Sequence, residues 1–216
     1  MNDITTPTPN NGENALAAAE QSNTFDMYSN RETMKFVFDT ARMLSKTELV
    51  PQSYRGKPEN CVIAIDMANR MGVSPMFVMQ NLYVVKGKPS WSGQACMSLI
   101  QACGKFENIK TVYFGEQGTD KRGCRVTAKR ISDGDTVEGP EVTLTMARAE
   151  GWTNNPKWRN MPELMLAYRA AAFFARIYCP DALMGVQTAE ENEDVFARTR
   201  KTKAPDVLGG DNNADK

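Results

Sequence analysis

Apolar residues recur at helical spacing from Asn30 to about Lys46, where Met34, Val37, Phe38, Ala41 and Leu44 share one face of an amphipathic helix. The segment VPQSYRGKP, Val50 to Pro58, breaks the pattern as a loop. Pro58 then starts a second helix through Met71, and Gly72 stops it. Ser74 and Pro75 open a short helical turn. The pattern next becomes strand-like. Leu82–Val85, a Lys86-Gly87-Lys88 turn and Pro89-Ser90-Trp91 predict a β-hairpin. Gln94 to Gly104 is mostly apolar and predicts a short helix. Three runs, Phe106–Phe114, Cys124–Ile131 and Val142–Thr145, predict antiparallel strands, separated by the turn clusters EQGTDKRG and SDGD. A short helix over Met146–Gly151 and the loop WTNNPKWRN follow.

The stretch from Asn160 to Tyr178 predicts a long helix that is apolar almost all the way round. Asn160 and Glu163 have the spacing of a capping box, Pro162 suits the first turn, and Cys179-Pro180 ends the helix. Thr188 and Glu191 form a second capping-box spacing, opening a final helix to about Arg200. The expected architecture is α+β: a small antiparallel meander and hairpin flanked by helices, with a long basic helix near the C-terminus and disordered ends. The expected organisation is a disordered acidic segment over residues 1–28, a core domain over 29–197 and a flexible polar tail over 198–216.

Composition narrows the chemistry. The chain has no histidine and five scattered cysteines without a CxxC pair, so a zinc site, a Ser-His-Asp triad and a Cys-His nucleophile are not expected. The Gly-Lys pairs at Gly56, Gly87 and Gly104 lack the Ser or Thr of a phosphate loop, which disfavours an ATP-driven mechanism. No apolar run is long enough for a transmembrane helix, and no secretory signal is visible. No membrane partner and no cofactor are expected, and the expected location is the cytoplasm of a bacterial host cell. Formal net charge is zero, but it is unevenly spread. Residues 31–203 hold 25 bases and 19 acids, between acidic termini. A basic body suits nucleic acid better than the total charge suggests.

Within the long helix, Arg169 and Arg176 are seven apart and fall within ~20° of each other around the axis. Buried arginines need anions. Two partners fit: an internal salt bridge to the acidic cluster Glu190, Glu191, Glu193 and Asp194, or a phosphate from outside. The basic, aromatic lead-in Lys157, Trp158 and Arg159 favours the second, with Trp158 the best exposed stacking candidate. Tyr83 and Trp91 suit the core better. The run KRGCRVTAKR adds Lys121, Arg122 and Arg125 on a predicted strand, with Lys121, Gly123, Arg125 and Thr127 alternating against Arg122, Cys124, Val126 and Ala128. A solvated face or a charged edge strand explains that run equally well. Lys86 and Lys88 flank the hairpin turn, where they serve either solubility or a phosphate backbone.

The block NPKWRNMPELMLAYRAAAFFARIYCPDALMGVQTAEE, Asn155 to Glu191, closely resembles the RecT/Bet family of phage single-strand annealing proteins. The block from Met67 to Ile109 resembles the upstream half of that family, and the likeness runs from about residue 30 to 197 in the family's order. The resemblance implies a protein, not an enzyme, that binds single-stranded DNA without ATP. It further implies assembly into rings or helical filaments and pairing of complementary strands through an annealed duplex intermediate in recombination. By the same resemblance, Arg169, Arg176 and Lys157 match the basic positions of the family's DNA-binding groove. Arg159, Lys86, Lys88 and Arg125 rest on the charge argument. Some relatives carry a further C-terminal module that meets an exonuclease or a host single-strand-binding protein. Only about twenty polar residues follow the core here, so such contacts would fall on the core surface. Two alternatives stand beside this reading: a double-stranded DNA-binding replication accessory factor, and a Mg-dependent nuclease using Glu190, Glu191, Glu193 and Asp194.

Overall fold

The computed structural model describes residues 26–202, and the expectations for the two termini fall largely on residues outside that range. The chain divides into two compact units, one ending at Gln80 and the other beginning at Asn81.

In the first unit, α1 (Arg31–Ser45) packs on α2 (Pro58–Met71), and α3 (Pro75–Asn81) closes the unit. Asn30 caps α1 by accepting from the Thr33 amide at 2.8 Å. Val37 and Ala41 form its buried stripe, whereas Phe36 and Met43 are exposed. Gly72 ends α2 in the left-handed region, the conformation that a helix stop of this kind requires.

The second unit begins with the hairpin β1 (Leu82–Val85) and β2 (Lys88–Trp91), in the register Leu82↔Trp91 to Val85↔Lys88. Lys86 and Gly87 both have positive φ, the mark of a tight two-residue hairpin turn. Helix α4 (Gly93–Ala102) leads to a four-stranded antiparallel sheet of β3 (Phe106–Phe114), β4 (Gly123–Arg130), β5 (Thr136–Glu138) and β6 (Val142–Thr143). Strand β4 is central. It pairs with β3 on one side, and with β5 and β6 at successive positions on the other. Cys124, Val126 and Ala128 are buried on the face of β4 that meets the long helix α7 (Pro162–Tyr178).

Alanines 170, 171, 172 and 175 let neighbours approach α7 closely. A Cβ on Gly93 would lie 2.4 Å from the Tyr168 ring, so only glycine permits the observed contact between α4 and α7. The layers are therefore sheet, α7, then α4, with Phe106 and Phe174 in edge-to-face contact at 5.3 Å inside.

In chain order, α5 (Leu144–Ala149), a 3-10 turn (Trp152–Asn154) and the single turn α6 (Lys157–Asn160) connect β6 to α7. After α7 come α8 (Pro180–Leu183) and α9 (Ala189–Thr202). Four of the five cysteines are buried, and burial pushes the Cys96 thiol up to about 12. Among the described residues, no single helix is long and apolar enough to cross a membrane.

The α+β expectation holds, with local corrections. Thr143 caps α5 through the Met146 amide at 3.1 Å, so the third expected strand stops at Thr143 and its helix starts early. Strand β5 was not expected: its three residues alternate exposed, buried and exposed, a run too short to stand out in sequence. Lys121 and Arg122 precede β4 rather than lying in it. The Asn160–Glu163 capping box does not form: Asn160 belongs to α6, Met161 occupies the cap position, and the Glu163 carboxylate is bound to Arg122. The Thr188–Glu191 box does form, with Glu191 N–H donating to Thr188 Oγ1 at 3.2 Å and Thr188 N–H donating to Glu191 Oε2 at 3.0 Å.

Candidate nucleic-acid interface

Helix α9 carries its acids toward the cations of α6 and α7. Arg176 binds Glu191 through both guanidinium Nη atoms, one of them at 2.6 Å from Oε1. Lys157 Nζ donates to Glu193 at 2.8 Å. Arg169 pairs with Asp194, and the two side chains are only 6% and 1% exposed. Asp194 also accepts from Trp158 Nε1 at 3.0 Å and from Asn155 Nδ2 at 3.0 Å. The Arg169 guanidinium lies 3.9 Å over the Trp152 ring, and Trp152 in turn contacts Trp158 at 5.4 Å. The start of α9 is fastened independently. Trp91 N–H donates to Gln187 O at 2.9 Å, Trp91 Nε1 to Leu183 O at 3.1 Å, and Asn192 to Ser90 Oγ at 2.8 Å.

Charge follows this packing. Burial pushes the Asp194 carboxyl up to about 6, opposed by Arg169, Trp158 and Asn155. Burial also lowers Arg169, against the pull of Glu191 and Asp194. Burial would raise Glu191, but the Arg176 bonds and the Thr188 amide outweigh it and hold the carboxyl below its ordinary value.

The sequence-derived residues therefore separate into three settings. Trp158, Arg169 and Arg176 belong to the α7–α9 seam. Trp158 is 2% exposed, which corrects the expectation of an exposed stacking ring: its indole N–H is spent on Asp194 and its faces are packed. Arg122 and Arg125 lie on or beside the sheet and are paired. Arg122 grips Glu163 at 2.8 and 3.0 Å, and Arg125 binds Glu141 at 2.6 Å. Lys86, Lys88, Lys121 and Arg159 are exposed, and among the described residues none of them forms an ion pair.

Two hollows join these exposed groups to the fold. A groove of about 240 Å³ brings Val85 and Lys86 of the hairpin against Asn155, Pro156, Glu193 and Phe196. A larger cleft of about 600 Å³ is lined on its other side by Trp158 and Arg159. The single turn α6 separates them, so Lys157, beside the groove, and Arg159, in the cleft, flank the buried Trp158. Sequence reasoning placed Tyr83 in the core, but it is 43% exposed on the hairpin beside Val84, at 59%. Leu82 and Trp91 supply the buried side of the hairpin instead. A strict alternation from the buried Leu82 would have turned Tyr83 outward.

Exposed cations thus flank a buried helical seam that is held by ion pairs. Residues 34–204 match the RecT family, and the chain belongs to that family. RecT-family proteins anneal single strands in phage-type recombination and are annealing proteins rather than catalytic enzymes. No curated protein and no solved structure matches the chain significantly.

Proposed function

We propose that this protein binds single-stranded DNA by its phosphates along the hairpin turn and α6, and anneals it to a complementary strand without ATP. The carrying observation is that Lys86, Lys88 and Arg159 are exposed and form no ion pair among the described residues, on both sides of a turn whose inner residue is bonded to Asp194. An annealing protein must hold a strand while leaving base edges free, which favours phosphate contacts over base readout. Lys157 joins this track by exchanging its half-exposed pair with Glu193, and Lys121 extends it. Tyr83 offers a face on which one base can stack. Arg169, Arg176 and Trp158 contribute by holding α6 and α7 in place; Arg122 and Arg125 fix the turn and sheet beside them. In this reading the basic line of the long helix acts through the surface that it supports.

A single protomer spans few nucleotides, so strong binding calls for neighbours side by side along the strand, as a ring or helical filament. Exposed Phe36 and Met43 on α1 suit such a subunit contact. A cognate exonuclease and a host single-strand-binding protein are the further partners of this reading. The protein would act in the cytoplasm of a bacterial host. The nuclease alternative is less well supported, because Glu191, Glu193 and Asp194 face Arg176, Lys157 and Arg169 rather than one another.

The test mixes two complementary labelled oligonucleotides with the protein, without ATP, over a range of salt. Protein-dependent pairing that fades at high salt, and that is lost in the Lys86→Glu/Lys88→Glu double variant, supports the proposal. Strand binding without pairing would leave a plain single-strand binder; pairing untouched by the double variant would remove the hairpin from the interface.

A further inference from the structure

The larger cleft lies between α5, the β3–β4 turn and α6. Its charged residues are three arginines and two acids: Arg122, Arg148, Arg159, Asp120 and Glu163. They are unequal in what they can offer a ligand. Arg122 is committed to the protein at all three nitrogens, giving Nε and Nη2 to Glu163 and Nη1 to the Gly115 carbonyl at 2.9 Å. It bridges the start of β4 to the first turn of α7 and serves as a fixed wall. Arg148 is paired with Asp120, but those side chains are 59% and 48% exposed. A pair this exposed is worth about 0–1 kcal/mol, so its cation can be shared with an incoming anion at little cost. Arg159 is exposed and has no carboxylate partner among the described residues. An anion in the cleft therefore meets one free guanidinium and one exchangeable guanidinium.

The shape is set before any ligand arrives. Leu144 N–H donates to Arg122 O at 3.0 Å and Thr145 N–H donates to Asp120 O at 3.0 Å, fastening the turn to α5. Tyr113 hydroxyl donates to Glu163 O at 2.9 Å on the opposite wall. The apolar lining is Leu144, Pro162 and the edge of a Trp158 ring that is itself 2% exposed. No exposed aromatic face is presented to a base, whereas small apolar surfaces beside guanidiniums suit a sugar with its phosphate.

We propose that this cleft holds one phosphodiester and its deoxyribose from bound single-stranded DNA, with Arg159 and Arg148 on the phosphate and Leu144 and Pro162 against the sugar. The proposal rests on the single-strand reading above and extends its track from the hairpin, past Lys157, to the far side of α6. It adds Arg148 and Leu144, which neither charge runs nor helical spacing singled out.

The experiment measures affinity of the full chain for a fluorescein-labelled oligothymidylate as a function of salt. Arg159→Ala and Arg148→Ala should each weaken binding roughly tenfold at low salt, the scale of one charge-assisted hydrogen bond. Each should also reduce the magnitude of the salt slope by about 0.7, the value for one phosphate contact on a single strand. Arg159→Lys should keep the slope while losing part of the affinity, since it retains the charge but not the fork. Both positions are exposed, so folding should be unaffected. Wild-type affinity and slope in both alanine variants, alongside a loss in Lys86→Glu/Lys88→Glu, would overturn the cleft assignment and leave the single-strand reading standing. Absence of oligothymidylate binding by the unaltered protein at low salt would instead overturn the reading on which the proposal rests.

Discussion

Two sets of cations in the second unit invite comparison. Arg169 and Arg176 on α7 are held by Asp194 and Glu191, whereas Lys86, Lys88 and Arg159 are exposed and carry no ion pair among the described residues. The first set lies on an apolar helix and the second on a hairpin turn and a single helical turn. The difference teaches that cation density along a chain does not report cation availability. An arginine on a buried face must be neutralised wherever it is. A lysine at a tight turn has little protein around it to do so. The two sets can nonetheless serve one task, the inner fixing the backbone from which the outer projects.

The sharpest way to break this division is to remove one partner of the inner set. Asp194→Ala should cost about 3–5 kcal/mol in urea unfolding, because it leaves the buried N–H groups of Arg169, Trp158 and Asn155 without the acceptor that even a protonated carboxyl supplies. Arg169→Ala should cost a similar amount. A variant that folds with full stability but no longer anneals would move Arg169 to the DNA surface. The outer set should behave in the opposite way. Lys86→Glu/Lys88→Glu should leave stability within about 0.5 kcal/mol, the usual range for surface changes. The same change should lower the magnitude of the salt slope of single-strand binding by about 1.4, or 0.7 for each lost contact.

The pH response of the seam sharpens the comparison further. Asp194 titrates near 6 in the folded chain, above its ordinary value of 3.8. As pH falls through 6 toward 4, the native state takes up a proton that the unfolded chain does not. The contribution of this group to stability therefore rises on acidification, by up to about 2 kcal/mol. Thermal unfolding of the wild type should gain on Asp194→Asn over that window. A constant difference would mean that pairing with Arg169 outweighs burial. The smallest effect should come from Tyr83→Phe, which keeps the ring and should leave binding nearly unchanged. By contrast, Tyr83→Ala should cost about 1–3 kcal/mol of strand binding if a base stacks there.

Much of the fold was legible because its signals are local. The Gly72 stop, the Lys86-Gly87 turn, the Thr188–Glu191 box and the limits of α7 each depend on a few adjacent residues. What was misread depends on partners far along the chain. Asn160 and Glu163 have capping spacing, but Glu163 is claimed by Arg122, which lies 41 positions away. Trp158 is surrounded in sequence by polar and basic residues, yet Asp194, 36 positions later, draws its indole inside. The internal salt bridge was one of two readings of the arginine line, and the structure contains it. Periodicity could not decide between them, because a carboxylate and a phosphate satisfy a buried guanidinium alike. The cleft was invisible in sequence, since Leu144 and Arg148 of α5 meet Arg159 of α6 there only through the fold.

The position of Asp194 also has a consequence for synthesis. It is the acceptor for Asn155, Trp158 and Arg169, all of which leave the ribosome before it. Until α9 emerges, the nascent chain holds an arginine and an indole N–H that have no acid to meet. The second unit therefore cannot complete its interior until α9 has emerged, and that helix acts as a closing step. Translational pausing before residue 194 would lengthen the period in which that interior is open to chaperones or to nucleic acid.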